Sequence, residues 1–197
     1  MPKTHRRPII SSSTASLKNH FLLAMPSLTD GIFSQSITYI CEHGESGAMG
    51  IVINQPLELS VEEVFEHLEI NTKKDFSETP VMAGGPVHIN HGFVLHRRCE
   101  SRWEASLRIT PEITLTTSRD ILRCIANGTG PSEYVIALGY AGWTAGQLEF
   151  ELAHNSWLTL PADGDIIFST PYDQRLSSAA AVLGIDMNLI SAEAGHA

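Results

Sequence analysis

The sequence predicts an α+β fold in a single domain, and three observations point there. Strand-like stretches come in consecutive runs joined by turn signals. Four helical patterns are interspersed among them. The two kinds do not alternate regularly, as a doubly wound parallel sheet would require. No internal repeat competes with this reading.

Taken in order, residues 1–16 read as a flexible tail, with Pro, basic residues and then Ser11-Ser12-Ser13-Thr14. The domain is expected over 17–192, with a short C-terminal tail at 193–197. Phe21 to Met25 is an apolar run stopped by Pro26, a buried strand. Thr29-Asp30-Gly31 signals a turn. From Ser36 to His43, alternation places Ile37, Tyr39 and Cys41 on one face and Thr38, Ile40 and Glu42 on the other. Gly44-Glu45-Ser46-Gly47 then turns the chain into a second strand, Met49 to Asn54, which Pro56 ends. Ser60 with Glu63 three residues on is a capping box, and Val61, Val64, Phe65 and Leu68 follow at helical spacing. Val81 to Ala83 is a short strand running into the sharp turn Gly84-Gly85-Pro86.

Gly92 to His96 and Ser106 to Ile109 read as strands joined by a charged loop, and Ile113 to Thr117 as another. Thr117 or Ser118 is expected to cap a helix through Ile121, Leu122 and Ile125 that ends at Asn127-Gly128. Tyr134 to Leu138 is a strand. The glycines of the next stretch, 139–146, read as a tight corner that hands it to a helix over Gln147 to His154. Strands Trp157 to Leu160 and Ile166 to Ser169 follow, then a helix from about Asp173 to Leu183, ended by Gly184.

The chain has 197 residues, 43% of them hydrophobic, enough for one full core without metals or disulfides. Its net charge of −9 is uneven. Lys3, Arg6 and Arg7 sit in the acid-free first 16 residues, leaving 10 of the 13 basic residues against all 22 acids, a balance of −12. A body this negative is repelled by phosphate backbones, which argues against direct nucleic-acid binding. Cys41, Cys99 and Cys124 are odd in number and widely spaced, with no C-x-x-C. That suits a reducing cytosol, and a cytoplasmic location is expected. The N-terminal stretch lacks the apolar core of a signal peptide. The longest apolar run, Tyr134 to Trp143, is about half a membrane span, so no membrane association is expected.

The stretch Gly139-Tyr140-Ala141-Gly142-Trp143-Thr144-Ala145-Gly146-Gln147-Leu148-Glu149 resembles the YqgE/AlgH family of bacterial proteins. Other pieces match in order: Phe21 to Pro26, Tyr39 to His43, Gly47-Ala48-Met49-Gly50 with Asn54 and Pro56, Gly84-Gly85-Pro86, Gly92 to His96, Ser118-Arg119-Asp120, Asn155-Ser156-Trp157 and Leu183 to Asp186. The likeness spans about residues 17 to 190. One departure is Arg175-Leu176, where such proteins often carry Arg-Trp. The resemblance implies a strongly twisted, barrel-like, mainly antiparallel sheet with about four flanking helices. The family is largely uncharacterised, with one branch described as a transcriptional regulator affecting exopolysaccharide production.

Among the residues themselves, Cys41 and His43 are the sharpest pair. Two apart on one strand, they are expected on the same side, and a nearby histidine can lower a thiol pKa to make a reactive thiolate. Cysteine is equally a common core residue. Gly84, Gly85 and Pro86 could turn backbone amides toward an anion, and with Tyr140 and Trp143 they form a candidate ligand site, although a plain tight turn explains them too. Arg97, Arg98 and Arg102, with Arg108, form a basic patch that could receive an acidic partner. His88, His91 and His96 cluster without a zinc spacing, so no metal is expected. Glu149 and Glu151 point away from each other, and one of them is expected to pair near Trp143. No Walker loop, dinucleotide fingerprint or nucleophile elbow occurs, and no cofactor is expected. The absence of a catalytic motif points to a non-enzymatic binding module with an unidentified protein or small-molecule partner, and the resemblance implies a regulatory one that affects transcription indirectly. The alternative is a thiol-based redox sensor or enzyme using Cys41.

Overall fold

Ten strands and five helices are built from these patterns in a computed structural model that describes residues 15–29 and 31–186. The expected tails at 1–16 and 193–197 lie outside the described residues except for Ala15 and Ser16, as do Asp30 of the first turn signal and residues 187–192. In chain order the elements are β1 (His20–Ala24), β2 (Ile37–Gly44), β3 (Gly47–Val52), β4 (Pro56–Ser60), α1 (Val61–His67), β5 (Pro80–Ala83), β6 (Val87–Arg97), β7 (Ser106–Arg108), β8 (Ile113–Thr116), α2 (Asp120–Asn127), β9 (Tyr134–Thr144), α3 (Gln147–Ala153), β10 (Trp157–Pro161), α4 (Gly164–Phe168) and α5 (Arg175–Val182).

The main path of the sheet runs β10-β1-β2-β3-β9-β6-β8-β7, antiparallel at every step. β5 joins β9 in parallel, and β4 pairs with β5 beside the main path. The sheet curls into a half-barrel within one α+β domain. Strand alternation sends side chains to both faces, so three apolar clusters form. One holds Phe21, Tyr39, Ile51 and Leu95 with Ile167 and Ala179 of α4 and α5. A second packs Val61, Phe65, Ile121 and Ile125 of α1 and α2 on Val94 and Ile136. The third lays Leu148 of α3 on Leu22, Ile40, Trp143 and Trp157. No described helix is long and apolar enough to cross a membrane.

Local signals explain most of the boundaries. The Ser60 hydroxyl accepts from the Glu63 N–H while the Glu63 carboxylate accepts from the Ser60 N–H, so both ends of the capping box are made. Gly44 pairs with Gly47 across the two-residue turn Glu45-Ser46.

Four expectations are corrected. Neither Thr117 nor Ser118 caps α2. The Asp120 carboxylate accepts from the Ile121 and Glu104 N–H groups, while the Ser118 hydroxyl donates to Asp120 and accepts from the Ala105 N–H, tying the helix start to the loop before β7. Ile166 to Ser169 is not a strand. Asp163 accepts from the Asp165 N–H and starts α4 there, a short apolar run being readable either way. Pro56 does not end the strand region. It opens β4 at the side of the sheet, where proline is tolerated. Lastly, the glycines of 139–142 do not form a corner. β9 runs straight through them to Thr144, and the turn comes at Ala145-Gly146, with Gly146 at φ 76°.

Candidate functional site

The central stretch draws most of its polar groups into closed pairs. α3 lies across the β2–β3 hairpin and the end of β9, presenting Glu149 to one neighbour and Glu151 to others. Glu149 Oε1 accepts from His43 Nε2 at 2.8 Å. His43 Nδ1 accepts the Leu17 N–H at 2.8 Å, which fixes the ring as the Nε2–H tautomer. The Ser16 hydroxyl donates to the His43 carbonyl, so this histidine also anchors the chain as it enters β1. The Glu149 carboxyl is held below the usual carboxylate range, first by a backbone N–H and then by His43. Glu151 Oε2 accepts from two indoles, Trp143 Nε1 at 2.9 Å and Trp157 Nε1 at 2.8 Å, and its Oε1 accepts from Gln147 Nε2. Both carboxylates are thus engaged, one more than the sequence reading expected.

Cys41 and His43 do not meet. A bulge between Ile40 and Glu42 inserts one residue against β3 and reverses the alternation. Cys41 therefore stays with Tyr39 and Ile51 in the first cluster, while His43 pairs with Ala48 on the Trp143 side. The Cys41 thiol is fully buried and points at the Tyr39 carbonyl. Burial pushes its pKa up, the opposite of what a thiolate nucleophile needs. Thiol labelling of the native protein is expected to spare Cys41 and modify it only after denaturation, as read by peptide mapping.

The glycine turn lies against the Tyr140 backbone, but the Tyr140 and Trp143 rings fall in different apolar clusters. Gly84 N–H donates to Leu138 O at 2.8 Å, and Gly84 O accepts from Val52 N–H, so this peptide is tied into the sheet. Tyr140 faces the Phe93 side and stacks on His88 with ring centroids 5.8 Å apart. Trp143 faces α3 and borders an open hollow of about 350 Å³ with Glu42 and His43. Pro86 and its glycines share no cleft with them among the described pockets.

Of the basic patch, Arg97 is drawn away. It pairs with Glu133 and Asp165 and lies over the Phe168 ring. Arg98 and Arg102, with Arg108, line an open hollow of about 600 Å³ floored by Trp103. The His88 and His91 rings are 5.2 Å apart. His96 is buried, its Nδ1 donating to Arg97 O and its Nε2 accepting from the Thr116 hydroxyl, and burial lowers its pKa. Among the described residues no three or more His, Cys, Asp or Glu side chains are placed to hold a metal.

Sequence reasoning missed the cleft between α1 and α2. It holds about 660 Å³ and is walled by Leu59, Val64, Leu68, Leu122 and Leu138, with Ile136 of β9 also lining it. Glu63, His67, His91, Thr117, Ser118 and Arg119 stand among its polar residues. Val64 and Leu68 read as core residues at helical spacing. They are only half-buried, because α2 does not close over them.

Comparison with known proteins places this architecture. The AlgH-like family model matches residues 21–188. The chain belongs to the AlgH-like family. Among AlgH-like relatives, a UPF0301 protein of Saccharophagus degradans is 54% identical over 190 residues, covering 96% of this chain and 93% of that protein. One from Chromohalobacter salexigens is 50% identical, covering 92% and 98%. The solution structure of the AlgH protein from Pseudomonas aeruginosa superposes with a TM-score of 0.75 at 45% identity, covering 99% of this chain and all of that one. A Corynebacterium diphtheriae protein shares the fold at 17% identity and a TM-score of 0.73, with 91% and 93% covered. The AlgH-like motif at 139–149 is thus found in β9, the turn and the start of α3, where its polar groups hold secondary structure together.

Proposed function

We propose that this AlgH-like protein is a non-catalytic binding module whose ligand occupies the cleft between α1 and α2. The single observation behind this reading is the cleft itself. Its volume falls in the range of small-molecule sites, and it combines apolar walls with a few polar groups. Such a lining suits an amphipathic molecule, its apolar body against Leu59, Val64 and Leu122 and its polar or anionic head toward Arg119 and His67, away from Glu63. An influence on gene expression would run indirectly, through a partner that senses the occupied state, because a net charge of −9 opposes contact with nucleic-acid phosphates. No observation favours the redox alternative, given where Cys41 lies.

The test uses an anilinonaphthalene sulfonate, an amphipathic anion that fluoresces in apolar sites. Saturable enhancement is expected with the native protein. Val64→Trp, which fills the cleft from a half-buried position, should reduce that enhancement at least fivefold with little change in melting temperature. Equal enhancement in both proteins, or none in either, overturns the reading.

A further inference from the structure

Arg175 opens α5 and is, among the described residues, the one buried side chain with a permanent charge, at 7% exposure. Its Nε donates to Thr170 O at 3.0 Å and its Nη1 to Ile53 O. No carboxylate of the described residues pairs with it. A guanidinium has five N–H donors in a rigid fork, and two carbonyls leave both its charge and part of that fork unanswered. Buried charges are ordinarily paired, because desolvation without a counter-charge is costly. Desolvation pulls the Arg175 pKa down to about 10, and no neighbouring acid offsets it.

Arg175 also borders a pocket of about 280 Å³, distinct from the α1–α2 cleft. Tyr134, Pro80, Met82 and Phe168 give this pocket an apolar and aromatic body, and Ser169 and Tyr172 lie among its exposed residues.

We propose that this pocket binds a small carboxylate-bearing molecule, its carboxylate supplying the counter-charge to Arg175 and its apolar body lying against Tyr134, Met82 and Phe168. One cation matches one negative charge, and a planar carboxylate fits a planar guanidinium through paired N–H···O contacts. The volume sits just below the range of drug-sized ligands, which limits the guest to a short acid or a single ring. This site does not depend on the ligand reading of the larger cleft.

Benzoate is the probe, with inorganic phosphate as the second arm, both titrated into the full-length protein and followed by NMR. Saturable benzoate shifts at the Arg175 Nε–H and Tyr134 signals are expected. Ser169→Trp, an exposed change at the pocket, should weaken binding at least tenfold with an unaltered melting curve, and Arg175→Gln should weaken binding at least as much. If Arg175→Gln fails to fold, Ser169→Trp decides the matter alone. An absence of saturable benzoate shifts, an affinity unmoved by Ser169→Trp, or saturation by phosphate without saturation by benzoate overturns the proposal.

Discussion

Glu151→Ala is expected to cost about 3–5 kcal/mol and to lower the melting temperature by roughly 10 °C. The reason is the convergence on one carboxylate of two indole N–H groups and the Gln147 amide. Trp143 and Trp157 are 6% and 4% exposed, so their donors have little water to turn to. A hydrogen bond to a charged group contributes about 1.5–3 kcal/mol, and a buried donor left alone costs about 1–3 kcal/mol. Glu151→Gln separates charge from geometry. It keeps one carbonyl oxygen for the indoles and should recover about half of the loss. Thermal melts with tryptophan emission as the probe decide this, and a loss under about 1 kcal/mol for the alanine variant would show that the indoles are satisfied without Glu151.

Gly85→Ala is expected to be at least as damaging, at about 4 kcal/mol or more, which is the extreme of single substitutions. Gly85 has φ +155°, and a Cβ there would lie 2.0 Å from the Tyr140 carbonyl carbon and 2.2 Å from the Ala141 nitrogen. Both are backbone atoms of β9, so no side chain can rotate aside. Relief requires the chain at Gly85 to part from β9, which also strains the neighbouring parallel pairing of Met82 with Ala137 and Ala83 with Leu138. Denaturant melts should show the loss, and backbone amides of β5 and the middle of β9 should lose exchange protection first. A melting temperature within about 2 °C of the parent protein would mean that this crossing is looser than the geometry indicates.

These two sites show what could be read from the sequence alone. The α+β class, the 44–47 hairpin, the Ser60 start of α1 and the glycine ends of α2 and α5 follow from local chemistry, and local patterns reveal them. The bulge at Cys41 does not, because it depends on β3 supplying one residue fewer than β2. That single insertion undid the Cys41 and His43 pairing, which rested on unbroken alternation. The continuity of β9 was hidden for a similar reason. Its glycines are needed where the Gly84-Gly85 backbone crosses, and that partner lies over fifty residues away in the chain. His43 and Glu149 are 106 residues apart, so their contact requires the sheet register. The isolation of Arg175 is equally invisible in sequence, since acids are plentiful in the chain and only the fold shows that none of the described ones pairs with it. The family resemblance supplied the curled sheet that spacing alone could not.

The position of β1 bears on how the chain matures. Phe21 to Leu23 lie between β2 and β10, bonded on one side to residues 37–39 and on the other to 158–160. During synthesis the first partner emerges almost at once and the second only after roughly 120 further residues have been made. Until then one flank of this apolar strand stays open to any other extended chain nearby. The nascent polypeptide must therefore wait for its closing strand, and this interval is when a chaperone has the most to protect.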